Sequence, residues 1–495
     1  MSIVLSIDQS TQGTKAMLFD ENGQLFARYD LPHEQKINEL GWVSHDAEEI
    51  WQNTKEAVRL VIEKAGIDAG DIVTLGISNQ RETSVVWEKE TGSPVCDAIV
   101  WQCGRAADLC ARIEQTGIGE EVRHKTGIPI SPFFPASKFA WILENIEGTK
   151  EKAKAHKLCF GTVDTFLVWK MTNGQSYKTD YSNASRTQLF NILTLAWDEA
   201  ICKAFGLDAS DLPTVTPSDG DFGVTDLDGV LPRPVPILGV LGDSHAALFG
   251  QGGLAVGTAK ATYGTGSSIM MNIGEKPIES QNGLVTSLAF AIDGKIHYAM
   301  EGNLNYSAAV IRWMEKDLGL IASAAESEAM AKAAHPDDTT YLVPAFTGLG
   351  APYWDNDARA TISGISRLTG RNELVKAGLD CIAYQITDVV KAMEQDAGVT
   401  LPALRADGGA TRNGYLMQMQ SDLLGADVVI SEAEELSGIG AAFAAGIKAG
   451  VYGWDVFASV GHRTASPKMP EEIRERKLAG WKKAVAMTLY KGGAK

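Results

Sequence analysis

The sequence has 495 residues, 45% of them hydrophobic and 22% charged, which excludes disordered, fibrous and low-complexity proteins and predicts about two to four domains. Lysine and arginine number 45 against 62 aspartates and glutamates, a formal net charge of −17. Because such a surface repels phosphate backbones and anionic lipids, neither nucleic acid nor a membrane is an expected partner. The N-terminus has no basic leader, no apolar run approaches the ~18 residues of a membrane span, and the six cysteines form no paired motif. We therefore expect a cytoplasmic protein with free thiols.

The chain opens with a pattern typical of a small antiparallel sheet. Apolar and β-branched runs predict strands over 3–7, 15–19 and 24–29, and Asn22-Gly23 predicts the turn between the second and third. A polar turn over 8–14 separates the first two strands, and a helix over 46–65 and a strand over 72–77 follow. This opening differs from a dinucleotide-binding unit, in which the first strand leads directly into a helix.

A second beginning follows in the middle of the chain. Strands are predicted over 259–263 and 269–272 with a Gly/Thr/Ser turn over 264–268 between them, and helices over 373–394, 414–424 and 438–449. The repeated order of strand, polar turn and strand predicts two similar domains, 1–251 and 252–495, whose polar turns face each other across a cleft.

Three polar turns have the composition of phosphate-binding loops. The first, over 8–14, carries a carboxylate at Asp8 and hydroxyls at Thr11 and Thr14; the second spans 264–267 and the third 406–413. Glycines let a backbone approach a ligand closely, amides and hydroxyls bind phosphate oxygens, and a carboxylate at a strand end can hold Mg²⁺ through water. Taken alone, the first two turns are more often ordinary loops, whereas the third has paired glycines at a helix start, which suit the base or the phosphates of a nucleotide.

Two further motifs are candidates for acceptor chemistry. Asp243 follows an apolar run over 236–242 and opens a helix, where it would accept a proton from a substrate hydroxyl or simply cap the helix. Arg81 and Glu82 follow a strand, and Trp101 follows a second apolar run. Together these three residues would bind a polyhydroxylated ligand. Taken separately, Arg81 and Glu82 are a surface ion pair and Trp101 is a core residue.

Taken together, these residues resemble the FGGY carbohydrate kinases, and among them the glycerol kinases most of all. The resemblance extends over essentially the whole chain, from Ile7-Asp8-Gln9 to the segment 480–484. The stretches that carry it are 76–83, with Asn-Gln-Arg-Glu-Thr at its end, 87–92, 98–103, 160–165, 183–187 and 344–354. Two family signatures are matched by 133–145 and by 360–384.

The resemblance implies an α/β fold of two actin-like (ribonuclease H-like) ATPase domains flanking a catalytic cleft. It also implies ATP-dependent transfer of the γ-phosphoryl group to a primary hydroxyl of a small polyol, glycerol or a close relative, with Mg²⁺ as cofactor. A homodimer or homotetramer is expected from the same resemblance.

The resemblance assigns roles residue by residue. Asp243 matches the catalytic base and Asp8 the metal-associated carboxylate. The substrate-binding positions are Arg81, Glu82, Trp101, Phe133, Asp243, Ser244 and Ser268. The nucleotide-binding positions are Thr11, Gln12, Lys15, Gly264, Thr265, Ala308, Arg312, Gly409 and Asn413.

Several of these positions depart from the glycerol kinase pattern. Phe133 stands where those enzymes carry tyrosine, Ser244 where they carry glutamine, and Ser268 where they carry an aromatic residue. The two serines leave a larger pocket lined by hydroxyls, so the alternative acceptor is a tetritol, a pentitol or a pentulose, as in xylulokinase-like enzymes. In the first turn, Gln12 replaces threonine and Lys15 replaces arginine.

Two interpretations from other functional classes remain. An actin-like ATPase or chaperone would use the same fold without a small acceptor, but it would not need the set Arg81, Glu82 and Trp101. A sugar sensor without catalysis would be expected to lack Asp8 or Asp243, and both are present.

Overall fold

The structure is a computed structural model that describes residues 2–490. The two predicted domains also include residue 1 and residues 491–495, which lie outside the described residues. The N-terminal half contains, in chain order, β1 (Ile3–Gln9), β2 (Gly13–Phe19), β3 (Leu25–Pro32), β4 (Lys36–Ile37), β5 (Val43–His45), α1 (Ala47–Ala65), β6 (Ile72–Asn79), β7 (Ser84–Glu88), β8 (Ala98–Ile99), α2 (Ala107–Glu114), α3 (Gly119–Thr126), α4 (Pro135–Asn145), α5 (Thr149–Lys154), β9 (Leu158–Thr162), α6 (Val163–Met171), β10 (Lys178–Asp180), α7 (Tyr181–Ala184), β11 (Phe190–Asn191), β12 (Ala196–Trp197), α8 (Glu199–Ala204), β13 (Thr214–Thr216), β14 (Val224–Thr225), β15 (Val235–Gly242) and α9 (Asp243–Gly250).

The C-terminal half contains β16 (Ala259–Tyr263), β17 (Ser267–Gly274), β18 (Val285–Ile292), β19 (Lys295–Leu304), α10 (Ala308–Lys316), α11 (Glu326–Ala333), β20 (Tyr341–Val343), β21 (Thr361–Ser363), α12 (Arg371–Ala397), β22 (Ala403–Asp407), α13 (Gly414–Leu424), β23 (Asp427–Ser431), α14 (Leu436–Lys448), β24 (His462–Ala465) and α15 (Glu471–Leu489). Short 3-10 helices span Ala69–Asp71, Ala209–Asp211, Gly409–Arg412 and Trp454–Ser459. No helix within residues 2–490 has the length and apolar character needed to cross a bilayer.

The first predicted helix illustrates how local sequence sets the elements. Asp46 caps α1, since its carboxylate accepts hydrogen bonds from the backbone amides of Glu48 and Glu49. At the other end Gly66 adopts a left-handed conformation with φ 65°, which glycine adopts without steric penalty. Buried residues recur on one face of the helix, which packs against β2 and β3.

The two halves share one sheet topology. In the N-terminal sheet β1, β2 and β3 form an antiparallel meander, and β6 and β15 extend the sheet parallel to β1. In the C-terminal sheet β16, β17 and β19 pair antiparallel, and β22 and β23 extend it parallel to β16. This repeat confirms the predicted fold of two ribonuclease H-like domains. The boundary near residue 252 stays a prediction, and it falls in the connection between α9 and β16.

The halves are joined through α14, which belongs to the C-terminal half but packs on β1, β6, β15 and α9 of the N-terminal half. Glycines let these backbones touch: a methyl group on Gly440 would overlap the carbonyl oxygen of Ala246, and one on Gly76 would overlap that of Ala441. The Ser6 hydroxyl donates a hydrogen bond to the Gly438 carbonyl at 2.8 Å. The interpretation of Gly438-x-Gly440 as a close packing site is thus confirmed.

We predict that Gly440→Ala lowers the stability of the protein by about 1–3 kcal/mol, because the rigid α9 backbone must move to admit the methyl group. The midpoint of thermal unfolding measures this effect. Gly104→Ala is the matched control, since a Cβ atom there meets no atom within 4 Å. Equal midpoints for the two variants would contradict the proposed contact.

Candidate active site

The candidate catalytic residues lie where the parallel strands of the N-terminal sheet end. Asp8 pairs with Ser78 in the register of β1 and β6, and Gly242 at the end of β15 pairs with Asn79 at the end of β6. Because parallel strands finish at the same edge, the first polar turn, the Arg81–Glu82 segment and the start of α9 meet there.

Asp243 is the first residue of α9. Its Oδ1 atom accepts hydrogen bonds from the Arg81 Nε at 3.1 Å and from the Ser244 backbone amide at 2.6 Å. The side chain is 38% exposed, and within residues 2–490 its Oδ2 atom accepts no hydrogen bond from another side chain or backbone amide. One oxygen is therefore fixed, while the other is available to a ligand in the cleft.

Glu301 from β19 joins the C-terminal half to this site. Its two carboxylate oxygens accept two parallel hydrogen bonds from the Arg81 guanidinium, both at 3.0 Å, and its Oε2 lies 3.0 Å from the Arg186 Nη1. Burial alone would raise the pKa of Glu301, but the guanidinium groups of Arg186 and Arg81 hold it well below its usual range. The carboxylate is therefore charged, and it fixes the orientation of Arg81.

Glu82 lies beside this pair in a strained conformation. Its φ is +60°, which a non-glycine residue adopts at a cost of about 1–3 kcal/mol. The Arg186 Nε donates to the Glu82 Oε1 at 2.5 Å, and the side chain is 3% exposed. The buried ion pair with Arg186 therefore holds Glu82 in this conformation.

An aromatic wall lies next to the first polar turn. The Trp101 Nε1 donates a hydrogen bond to the Thr11 Oγ1 at 2.9 Å. The Trp101 and Phe133 rings meet edge to face with centroids 5.5 Å apart, and Phe133 contacts Phe134 in the same way. The wall presents C–H groups and ring faces rather than hydroxyls, since Phe133 has no phenolic oxygen.

The first turn itself is anchored to the C-terminal half. The Lys15 Nζ lies 2.6 Å from the Glu435 Oε2 and 3.5 Å from the Asp8 Oδ2. Thr11 is half-buried and Gln12 is exposed. Lys15 therefore bridges the carboxylates of the two halves, an arrangement that the sequence did not indicate.

The second and third turns are neighbours because β16 and β22 pair in parallel. The carbonyl of Gly264 accepts a hydrogen bond from the Ala308 amide at 3.0 Å, so α10 begins against the second turn, while Thr265 is exposed. Gly408, with φ +95°, leaves no room for a Cβ beside the backbone of Tyr263. The two turns thus form one surface at the sheet edge.

The remaining predicted nucleotide residues surround this surface. Gly409 is exposed in the third turn, and Asn413 caps α13 by accepting a hydrogen bond from the Leu416 amide at 3.0 Å. Arg312 is exposed on α10. The structure places these residues on one side of the cleft, and their contact with a nucleotide stays a prediction.

Asp8 is the residue that fits a divalent cation. Its Oδ1 is buried without a hydrogen-bond partner among the described residues, and burial raises its pKa to about 6 against the opposing effect of Lys15. No group of three or more histidine, cysteine, aspartate or glutamate side chains in residues 2–490 could hold a metal. Mg²⁺ commonly binds through one or two carboxylates together with waters and substrate phosphates, so the site fits that ion when a nucleotide is bound.

The comparisons with known proteins agree with this geometry. Residues 3–250 match the N-terminal domain of the FGGY family of carbohydrate kinases, and residues 259–449 match its C-terminal domain. The chain belongs to the FGGY family of carbohydrate kinases. The family predicted from the sequence motifs is thereby confirmed.

Similar FGGY proteins share the full length of the chain. It is 46% identical over 489 residues to glycerol kinase 1 of Thermotoga maritima, covering 98% of this chain and 99% of that protein. It is 45% identical over 485 residues to the glycerol kinase of Petrotoga mobilis, covering 97% of each. The crystal structure of Plasmodium falciparum glycerol kinase with ADP superposes with a TM-score of 0.94 at 34% identity and 99% coverage of both chains.

Two residues central to this FGGY site, Glu301 and Arg186, were not predicted as site residues, although Arg186 lies in the stretch 183–187 that carries the resemblance. Glu301 stands alone in the apolar strand β19, where every residue from Tyr298 to Gly302 is buried. A lone carboxylate inside a buried strand requires a partner, and that signal could have identified it.

We predict that Glu301→Gln lowers the free energy of unfolding of this FGGY protein by about 3 kcal/mol, because two buried guanidinium groups each lose one of their carboxylate partners. Thermal unfolding measures the loss. Glu63→Gln is the control, since Glu63 is 70% exposed in its ion pair with Arg59 and such pairs contribute about 0–1 kcal/mol. Similar shifts for both variants would show that Glu301 does not hold the site together.

We predict that Asp8→Asn stabilises the metal-free protein at pH 7.5. Since burial raises the pKa of Asp8 from 3.8 to about 6, the folded protein binds more protons than the unfolded chain between these values. Stability therefore falls as pH rises through this window and stays low above it. The gain from Asp8→Asn in thermal midpoint should shrink as pH falls from 7.5 towards 4.

The control for this experiment is Asp427→Asn, which changes an exposed aspartate on β23. That variant should show no pH-dependent gain. A lower midpoint for Asp8→Asn than for the native protein at pH 7.5 would contradict the prediction.

Proposed function

We propose that this protein catalyses ATP-dependent transfer of the γ-phosphoryl group to a primary hydroxyl of a small polyol, glycerol or a close relative. The observation that carries the proposal is Asp243, whose carboxylate has one oxygen fixed by Arg81 and the other available at the junction of the two domains. The names of the relatives, glycerol kinases at 45–46% identity, support the acceptor class.

In the proposed reaction Asp243 orients the acceptor hydroxyl and takes its proton as the oxygen bonds to the γ-phosphorus. The bond from that phosphorus to the β,γ-bridging oxygen breaks, and ADP leaves. Arg81 keeps the Asp243 carboxylate in place, and the Trp101 and Phe133 rings pack against the carbon skeleton of the acceptor. The main contribution of the protein is positioning, since the transferring group needs little covalent assistance.

The nucleotide would bind across the second and third turns and the start of α10. Their backbone amides and hydroxyls suit phosphate oxygens, and the related Plasmodium glycerol kinase was crystallised with ADP. Asp8 would hold Mg²⁺, which neutralises phosphate charge in phosphoryl transfer. A homodimeric or homotetrameric assembly and a cytoplasmic location stay predictions.

We predict that Asp243→Asn lowers kcat for acceptor-dependent ADP release at least ~100-fold, because an amide cannot take the proton. ATP binding, measured by titration calorimetry, should change less than about threefold. Asp228→Asn serves as the control, since Asp228 pairs with Lys55 on the surface. A kcat near the native value for Asp243→Asn would contradict its assignment as the base.

The ATPase alternative gives a different result in the same assay. High ADP release that no polyol or ketose stimulates would overturn the proposed kinase activity and favour an actin-like ATPase.

A further inference from the structure

A pair of small polar side chains lines the C-terminal wall of the cleft. Ser268 and Asn303 lie directly opposite each other in the antiparallel register of β17 and β19. The Ser268 Oγ lies 3.4 Å from the Glu301 Oε1, and the Asn303 Nδ2 lies 3.2 Å from the same oxygen. Both side chains are half-buried, so they flank the Glu301–Arg81 pair and reach solvent.

The Ser268 and Asn303 side chains can form more hydrogen bonds than these two contacts use. The Glu301 Oε1 already accepts a hydrogen bond from the Arg81 Nη2 at 3.0 Å, and the Ser268 contact at 3.4 Å is longer than the roughly 2.5–3.0 Å of a good hydroxyl hydrogen bond. The Ser268 oxygen can also accept hydrogen bonds, and the Asn303 amide has a carbonyl oxygen and a second N–H. Within residues 2–490, no other side chain bonds to these groups.

The contacts place this polar pair next to the proposed acceptor site. Ser268 and Asn303 contact Glu301, Glu301 holds Arg81, and Arg81 holds the Asp243 carboxylate. Ser244, also half-buried, follows Asp243 on α9. The aromatic rings of Trp101 and Phe133 belong to the N-terminal half, whereas the hydroxyl of Ser268 and the amide of Asn303 belong to strands of the C-terminal half.

We propose that the preferred acceptor is a polyol or ketose of four or five carbons, whose additional hydroxyls bind Ser268 and Asn303. This inference rests on the proposed phosphotransferase function and names its substrate class. Of the three hydroxyls of glycerol, one would accept the phosphoryl group and two would bind Arg81 and Glu82. No hydroxyl is then left to bind Ser268 and Asn303. Polar groups left unpaired in a closed site weaken binding, whereas a ligand that pairs them is selected strongly.

The test is a coupled ADP-release assay with glycerol, erythritol, threitol, xylitol, ribulose, xylulose and dihydroxyacetone. We expect kcat/KM for at least one four- or five-carbon acceptor to exceed that for glycerol about tenfold or more. Ser268→Ala and Asn303→Ala should each lower kcat/KM for that acceptor about three- to tenfold. For each variant this loss should be about twofold or more larger than the loss of kcat/KM for glycerol.

Matched controls come from the segment that precedes β18. Ser280→Ala and Asn282→Ala make the same chemical changes where both side chains bond to Asp396, so neither should alter the ratio of kcat/KM values. Ser268→Phe adds a different readout, because filling the wall should shift preference towards glycerol. The thermal midpoint of each variant establishes that it is folded.

Two outcomes are decisive and distinct. Highest kcat/KM with glycerol, or equal effects of Ser268→Ala on glycerol and larger acceptors, would overturn this inference and leave the kinase proposal standing. ADP release that no acceptor in the panel stimulates would overturn the proposed function itself.

Discussion

The carboxylate of Glu301 is the interaction on which the rest of the site depends. It is buried between two guanidinium groups at the junction of the halves, and it belongs to the C-terminal sheet while both arginines belong to the N-terminal half. Removing one member of this group is costly, since a buried charge then loses a partner that offsets its desolvation. Through Arg81 the same pair fixes Asp243, so the position of the proposed base depends on how the two halves are joined.

That joining also relies on close backbone contact. α14 lies on the N-terminal sheet because Gly76 and Gly440 leave no side chain between the backbones. A hydrophobic cluster that includes Met17, Met270 and Phe443 is shared by both halves. The ion pairs near the cleft and the glycine contacts of α14 therefore stabilise the same junction. A substitution in one set should also affect the other.

The net charge of −17 imposes a further constraint on the site. An anionic nucleotide is repelled by the overall field, yet Lys15, Arg81 and Arg186 are each engaged by carboxylates. The phosphates would therefore rely on backbone amides of the polar turns, on exposed Arg312 and on a metal at Asp8. These three cations thus orient carboxylates at the junction of the two halves.

The sequence by itself determined the fold class, the repeated order of strand, polar turn and strand, and the family. These follow from local patterns. Apolar runs become the buried strands β1 and β2, Asp46 caps α1, and the family motifs are continuous stretches of sequence. The sequence also predicted Asp243, Arg81 and Trp101 as site residues, because each follows an apolar run.

Only the tertiary structure decided which charges meet. Glu301 lies 220 residues from Arg81 and Glu435 lies 420 residues from Lys15 along the chain, and no local pattern specifies such pairs. They arise because strands of two separate sheets end facing one cleft, which brings distant side chains into contact. The sequence singled out Ser268, but only the register of β17 and β19 placed Asn303 directly opposite it.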